Sequence, residues 1–167
     1  MTAEPVPAGP QAGHGAEPVT VPLELRWADT DVYGHVNNVA FAGLVEEARI
    51  RAFGLPDHPE LAAPGRPPIL GALEPGTFTM TVAQRLEYRH ELTYHGQTIL
   101  AGMWLPRIGK SSLDIGVRLH HRDGEPTYVL AQLTLVICDV ATRRPRPLSA
   151  AETAALAPYR GGPVPFR

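Results

Sequence analysis

Hydrophobic residues follow two different periods in the first third of the chain. Between Thr20 and Ala28 apolar side chains occupy every second position, which is the spacing of a strand with one buried face. The alternating residues are Val21, Leu23, Leu25 and Trp27. From about residue 38 to 53 the apolar positions cover nearly the whole circumference of a helix, which predicts a helix buried on most sides. Gly54 is placed to end that helix, and Pro56 prevents its continuation.

The second half of the chain consists mainly of predicted strands. Four segments have the alternation and the β-branched or aromatic residues of strands, at residues 78–90, 97–109, 111–122 and 126–140. The pair Asp123-Gly124 indicates a hairpin between the last two of them. Because the connections are short, we expect an antiparallel meander in which each strand pairs with the next.

Two further segments flank these strands. Residues 56–76 are rich in proline and glycine, so we expect an ordered surface crossing in which residues 69–73 form a short strand or a helical turn. A short helix is predicted for LSAAETAAL, residues 148–156. Ser149 and Glu152 have the spacing of a capping box at its start.

This order of elements predicts an α+β fold, with a five-stranded antiparallel sheet wrapped around one long central helix. Such a sheet has exposed edges, and pairing two sheets edge to edge would cover them, so we expect a homodimer or a dimer of dimers, that is, a homotetramer. Residues 1–19 are dominated by Pro, Gly and Ala and predict a disordered leader. Residues 20–158 form the predicted folded domain, and residues 159–167 a flexible C-terminal tail.

The composition narrows the classes of partner and location. With 15 basic and 17 acidic residues the net charge is -2, so the chain lacks the basic excess of proteins that bind nucleic acids or membrane surfaces. A small or acyl substrate fits this charge better. No segment has the roughly 18 apolar residues of a membrane helix, and the first residues do not resemble a signal peptide, so we expect a cytoplasmic location. Cys138 lies in a core strand pattern, which predicts a buried, unreactive thiol.

The loop RWADTDVYGHVNN, residues 26–38, holds the candidate chemistry. Asp31 lies seven residues before Asn38, so the loop can bring its carboxylate back to the start of the helix, where free N–H groups could polarise a carbonyl. Gly34 would allow close approach of the backbone to a substrate. The residues alone leave Asp31 open as either a turn-forming acid or a catalyst, and they favour a turn or capping role for Asp29. His35 is expected to bond within the loop or to position substrate.

One combination of motifs resembles a known family. Asp31-x-x-Gly34-His35-x-Asn37-Asn38, followed by Glu46-Glu47-Ala48-Arg49 and by the late turn IGKSSL, is similar to the acyl-CoA thioesterases of the 4-hydroxybenzoyl-CoA thioesterase group, over roughly residues 21–140. The resemblance implies the hotdog fold and a single hotdog thioesterase domain. It also implies that Asp31 acts as nucleophile or general base, that the backbone N–H of Asn38 points at the thioester oxygen, and that the site lies at a dimer interface.

The resemblance implies further site residues. Its substrate-binding set comprises Gly34, His35, Asn37, Phe41, Lys110, Ser111 and Ser112. Glu47 is a second catalytic candidate, because other hotdog thioesterases place the working carboxylate on the central helix, although an ion pair with a nearby arginine is the alternative. Cations that could bind the phosphates of coenzyme A are Lys110, Arg107, Arg85, Arg89 and Arg143. No cofactor or metal is expected, since the coenzyme A thioester is itself the substrate.

The function that these expectations favour is hydrolysis of an acyl-CoA thioester, or of an acyl-carrier-protein thioester. Two alternatives stay open. An enoyl-thioester hydratase or dehydratase would use an acid and histidine pair, such as Asp31 and His35. A non-catalytic acyl-CoA-binding module would hold the same ligand without turning it over.

Overall fold

The computed structural model describes residues 18–56, 58–61 and 68–167. The predicted leader, apart from its last two residues, lies outside the described residues, as do residue 57 and residues 62–67 of the predicted crossing. Within the described ranges, no helix combines the length and the hydropathy needed to span a membrane.

The structure contains five strands and two α-helices. In chain order they are β1 (Val19–Glu24), α1 (Asn38–Phe53), β2 (Thr77–Tyr88), β3 (Thr98–Ile108), β4 (Ser112–His120), β5 (Thr127–Asp139) and α2 (Ala150–Leu156). Single 3-10 turns lie at Trp27–Asp29, Pro59–Leu61, Leu70–Ala72 and Ala157–Tyr159. The predicted helices and the four later strands are thereby confirmed within two residues, and the helical turn is confirmed for the ILGAL segment.

The five strands form one antiparallel sheet in the order β1-β3-β4-β5-β2. The predicted α+β class and five-stranded antiparallel sheet are confirmed, but the simple meander is wrong, because β2 pairs with β5 and not with β3. The physical reason lies in residues 89–97, which do not form a hairpin. They bond to the loop before α1, where the Val36 amide donates to the Leu92 carbonyl at 2.8 Å and the Tyr94 amide donates to the Gly34 carbonyl at 3.3 Å.

Helix α1 packs against the sheet with one face. Its buried apolar residues are Phe41, Leu44, Val45, Ala48, Ala52 and Phe53, and they join a continuous core with residues of β1, β3, β4 and β5, against which Leu86 of β2 packs. Each large side chain buried there stabilises the fold by about 1.5–3 kcal/mol. Gly54 ends the helix with φ 67° while its N–H donates to the Ile50 carbonyl, as predicted. The prediction of burial on most sides is too broad, because Val39 in the first turn is 79% exposed.

The end of β1 also differs from the prediction. The strand stops at Glu24, and Trp27, expected on its buried face, is 78% exposed. The cause is Asp29, whose buried carboxylate accepts the Arg26 backbone N–H at 2.8 Å and the Arg26 guanidinium at 3.0 Å, which turns the chain out of the strand. The turn role predicted for Asp29 is therefore confirmed.

Helix α2 is held in place by an ion pair between the buried Glu152 and the partly exposed Arg146. Ser149 and Glu152 form the predicted capping box, and Glu152 also accepts the Glu74 amide at 2.9 Å and the Arg146 guanidinium at 2.9 Å. The hydrogen bonds from Arg146 are the main reason that the pKa of Glu152 falls to about 2. Arg146 also donates to the Thr77 hydroxyl, which links α2 to the start of β2. Cys138 is buried in β5, as expected.

The chain after α2 runs back over the sheet. Residues 160–167, here called the C-terminal strap, have no regular secondary structure but bond to β3 at one end and to β2 at the other. The flexibility predicted for this segment stays a prediction. Its contacts with the sheet were not anticipated from the sequence.

Candidate active site

Asp31 is the centre of a tight turn that closes the loop before α1. Its Oδ1 atom accepts the Tyr33 amide at 2.8 Å and the His35 amide at 3.2 Å. Its backbone N–H donates to the His35 carbonyl at 2.8 Å, and its carbonyl accepts the Gly34 amide at 3.1 Å. Gly34 has φ 78°, a left-handed conformation that glycine adopts at no steric cost. The turn therefore uses Oδ1, whereas Oδ2 accepts no hydrogen bond from the part of the chain that the structure describes.

The first turn of α1 leaves one amide uncommitted. Asn37 caps the helix, and its Oδ1 accepts the Val39 amide at 2.7 Å and the Ala40 amide at 3.1 Å. Its carbonyl accepts the Phe41 amide at 3.1 Å. The Asn38 N–H, in contrast, has no acceptor among the described residues. This donor lies at the positive end of the helix dipole, where an oxygen of a bound ligand would be stabilised.

Asp31 and Asn38 line one open cavity of about 290 Å³. Its lining residues are Asp31, His35, Val36, Asn38, Phe41, Tyr88, Arg89, His90 and Glu91. One wall is the loop and the start of α1, and the other is the end of the edge strand β2 with the residues that follow it. The Tyr88 ring packs on Phe41 at 5.8 Å between centroids, and its hydroxyl donates to the Asn38 carbonyl at 3.4 Å.

Four of the predicted site residues are thus brought together, namely Asp31, His35, Asn38 and Phe41. Gly34 and Asn37 support the turn and the cap beside the cavity without lining it. The second wall, Tyr88 to Glu91, was missed as a unit, and only Arg89 in it had been named as a candidate ligand for phosphate. The sequence did give one signal, since YRHE is a run of polar residues at the end of an otherwise alternating strand.

His35 bridges the two walls. Its Nε2 atom lies 3.7 Å from Glu91 Oε2, a contact that becomes an ion pair when the imidazole is protonated. A β-bridge between His35 and Thr93 holds the same two segments through the backbone. His35 can therefore orient a ligand or the wall opposite it.

Glu47 does not share this cavity. It forms an ion pair of 2.7 Å with Arg51, which also donates to the Pro22 carbonyl. Glu47 comes nine positions after Asn38 in the helix, which corresponds to roughly 13 Å along the axis. Glu46 likewise pairs with Arg49. The charge of Glu47 is matched within the helix, and a catalytic role for it stays a prediction.

The late turn is also separate from the cavity within one chain. Ser112 accepts hydrogen bonds from Arg107 at 3.2 Å, and the carbonyls of Lys110 and Ser111 accept the amides of Leu148 and Ile137. Arg107 donates two hydrogen bonds to Asp114, and these lower the pKa of that carboxyl. Binding of substrate by Lys110, Ser111 and Ser112 therefore stays a prediction.

The cations that could bind phosphate differ in whether they already form an ion pair or stack on an aromatic ring. Arg107 is paired with Asp114, and Arg89 lies 2.5 Å from Glu87. Arg85 and Arg143 each stack on a phenylalanine ring, at 3.9 and 4.7 Å from the ring centroid. Lys110 is exposed and forms no ion pair with a described residue. Within the same ranges, no group of three or more His, Cys, Asp and Glu side chains could hold a metal ion.

Comparison with known families decides the class. The model of the thioesterase-like superfamily matches residues 25–156, which is well over half of the chain. The chain belongs to the thioesterase-like superfamily. The resemblance found in the sequence and the enzyme class that it implied, a thioester hydrolase, are thereby confirmed. A comparison with curated proteins found no match.

Solved structures of other proteins share the architecture of this chain. The PA2801 protein of Pseudomonas aeruginosa is 27% identical with a TM-score of 0.66, covering 84% of this chain and 99% of that one. YbaW of Escherichia coli is 17% identical with a TM-score of 0.68, covering 84% and 98%. A Thermus thermophilus thioesterase, solved with coenzyme A and zinc, is 24% identical with a TM-score of 0.63, covering 84% and 92%. The predicted hotdog fold is confirmed.

Proposed function

We propose that this superfamily member hydrolyses acyl-CoA thioesters to a carboxylic acid and coenzyme A. Asp31 is the nucleophile or general base, and the backbone N–H of Asn38 is the donor to the thioester oxygen. The observation that carries the proposal is that the Asp31 carboxylate and the uncommitted Asn38 N–H belong to residues lining one cavity. The coenzyme A bound to the Thermus thermophilus thioesterase supports the choice of ligand.

The Asn38 amide supplies the electrostatic part of the reaction. When the thioester carbon is attacked, its oxygen gains negative charge and needs a donor that is already in place. The Asn38 N–H is held by the helix and by the Asn37 cap, so it needs no reorganisation during the step. A donor of this kind contributes about 3 kcal/mol to the transition state.

Asp31 supplies the attacking group or its base. The amides of Tyr33 and His35 fix Oδ1 and so orient Oδ2. As a nucleophile, Oδ2 bonds to the acyl carbon, the carbon–sulfur bond breaks, the thiolate departs with the electron pair, and water then cleaves the mixed anhydride. As a general base, Asp31 takes a proton from the water that attacks the same carbon. Both routes give the same products.

The second wall would hold the substrate. Phe41 and Val36 offer apolar surface for an acyl group, and the polar residues from Tyr88 to Glu91 can bond the amides of a pantetheine arm. Among the candidate phosphate ligands, Lys110 alone has neither an ion pair nor a ring contact with a described residue, so we assign it to the phosphates of coenzyme A. Because its turn is separate from the cavity within one chain, it would act on a ligand held by a neighbouring chain. The same arm is present on acyl-carrier proteins, which stay a second class of substrate.

We further propose that the working unit is a homodimer, or a dimer of two such dimers, paired through β2. This strand has one neighbour, β5, and it presents the exposed apolar side chains Met80, Val82 and Tyr88. Exposed apolar residues on an open edge favour pairing with another strand. Because Tyr88 also lines the cavity, a partner on this edge would complete the site.

The experiment that tests the function is a thiol-release screen over short, long, branched and aromatic acyl-CoAs, with an acyl-carrier-protein thioester in parallel. Release of free thiol in proportion to the acid formed supports hydrolysis. Saturable binding without thiol release would replace the proposal with a binding module, and hydration of crotonyl-CoA without thiol release would replace it with a hydratase.

A further inference from the structure

The C-terminal strap crosses the outer face of the sheet from β3 to β2. Arg160 bridges Leu105, and the Gly161 amide donates to the Leu105 carbonyl at 3.1 Å. At the other end the Arg167 amide donates to Glu87 Oε2 at 3.0 Å. Since β4 and β5 lie between β3 and β2, the strap spans most of the sheet.

The strap is fitted to the residues beneath it. The Trp104 indole donates to the Gly162 carbonyl at 2.7 Å, and Val164 is buried. A side chain at Gly161 would overlap the Trp104 ring, whereas one at Gly162 would meet nothing within 4 Å. Gly162 therefore tolerates a methyl group and Gly161 does not, because the backbone of Gly161 packs closely against the Trp104 ring.

At β2 the strap engages three alternate charged residues. The Arg85 guanidinium lies 3.9 Å from the Phe166 ring centroid, and Arg89 Nη2 donates to the Pro165 carbonyl at 2.6 Å. Glu87 accepts the Arg167 amide and lies 2.5 Å from Arg89 Nε. The side chains of Glu87 and Arg89 are less than one fifth exposed. Their charges are thus matched to each other, and both side chains also bond to the strap.

Arg89 is at the same time part of the second wall of the candidate site. It lines the cavity with Tyr88, His90 and Glu91, and its backbone N–H donates to the Tyr128 carbonyl at 2.8 Å. We infer that Arg89 is a positioning residue, and that the C-terminal strap, by holding it, sets the affinity of the site for its acyl-CoA substrate. The inference rests on the proposed function and assigns the strap a role in substrate binding.

The two walls of the cavity are held by different interactions, which makes the inference specific. Asp31 is fixed by its own turn and the Asn38 amide by the Asn37 cap, and these hydrogen bonds involve no strap residue. Loosening the strap should therefore disturb binding while the reacting groups stay in place. The signature is a rise in KM with kcat changed less than about twofold. A strap that only stabilises the fold would lower the amount of active enzyme and leave KM unchanged.

The test compares Gly161→Ala with Gly162→Ala, which add the same methyl group at adjacent positions. A third variant lacks residues 163–167, and Arg89→Met removes the guanidinium itself. We expect Gly161→Ala, the deletion and Arg89→Met each to raise KM about tenfold, the effect of losing one hydrogen bond to a charged group. Gly162→Ala should match the parent.

Hydrogen exchange at the amides of residues 88–94, measured on the same proteins, separates this inference from the proposed function. Faster exchange there in Gly161→Ala and in the deletion, but not in Gly162→Ala, supports a strap that orders the wall even if no thioester is hydrolysed. Parental KM together with parental exchange in Gly161→Ala and in the deletion would overturn the inference. If the deletion does not fold, Gly161→Ala and Arg89→Met decide the outcome.

Discussion

Asp31 and Asn38 line the same cavity because the chain between them, seven residues from one to the other, folds into a turn followed by a helix cap. In the turn, one carboxylate oxygen of Asp31 accepts two backbone amides. In the cap, the amides of Val39 and Ala40, which follow Asn38, donate to the Asn37 side chain. Among the described residues, the second carboxylate oxygen of Asp31 and the N–H of Asn38 have no hydrogen-bond partner, so both are available to a ligand in the cavity. The two interpretations of Asp31 that the residues left open, turn-former and catalyst, are therefore compatible.

Substitution by alanine should have opposite effects on stability at Gly34 and at Gly43. Neither position has an atom within 4 Å of an added Cβ, but Gly34 has φ 78° and Gly43 lies inside α1. Gly34→Ala should destabilise the protein by about 1 kcal/mol and lower kcat, because its turn orients Asp31. Gly43→Ala should stabilise by up to about 1 kcal/mol. Urea unfolding measures both, and equal effects at the two sites would contradict the account of the turn.

Glu152 predicts a pH dependence of stability. Its pKa falls from 4.5 to about 2 on folding, so its stabilisation is complete above pH 4.5 and is lost as the pH falls through about 2. Glu152→Gln should therefore cost about 3 kcal/mol at pH 7 and little at pH 2. Urea unfolding at the two pH values tests this. The matched control Glu60→Gln, an exposed carboxylate, should show a far smaller change, and a pH-independent loss for Glu152→Gln would exclude the ion pair as its cause.

Substitution of Glu47 tests whether its carboxylate, and not only that of Asp31, takes part in catalysis. Because it pairs with Arg51 away from the cavity, Glu47→Gln should keep at least about half of the parental kcat/KM in thiol release. Arg51→Gln, which removes the other partner, serves as the matched control and should behave alike. A loss of a hundredfold or more in Glu47→Gln alone would make Glu47 a catalytic residue.

Val82 tests pairing through β2. It is 53% exposed on the edge strand, so Val82→Lys should convert the predicted dimer to monomer and lower activity by removing the partner from the cavity. Val140→Lys changes a comparably exposed valine just after β5 and should leave the mass unchanged. Light scattering after size exclusion reads the mass. A Val82→Lys protein that remains dimeric would locate the interface elsewhere.

Local features were predictable from the sequence, and long-range pairing was not. The α1 boundaries, the capping box of Ser149 and Glu152, and the turn at Asp31 follow from short-range patterns of caps, glycines and periodicity. The partner of β2 depends on residues 89–97 bonding to the loop before α1, which no local pattern encodes. The second wall of the cavity, Tyr88 to Glu91, was missed for the same reason.

Two other misses have local physical causes. Trp27 continues the alternation of β1, but the Asp29 carboxylate satisfies the Arg26 amide and turns the chain, so an apolar side chain faces solvent. The strap has no periodic pattern of apolar residues. Its contacts are made by the backbone carbonyls of Gly162 and Pro165, which every sequence has and which therefore give no signal.

Asp31→Asn tests whether Asp31 performs the hydrolysis, by steady-state thiol release on the best acyl-CoA of the screen. Asparagine keeps an acceptor oxygen for the amides of Tyr33 and His35, so the turn should persist. Asp123→Asn, an exposed acid in the β4–β5 turn, is the matched control. We expect kcat/KM to fall by at least about a hundredfold in Asp31→Asn, with unchanged thermal unfolding, and to stay parental in the control. A folded Asp31→Asn protein that hydrolyses the substrate at the parental rate would contradict this role of Asp31.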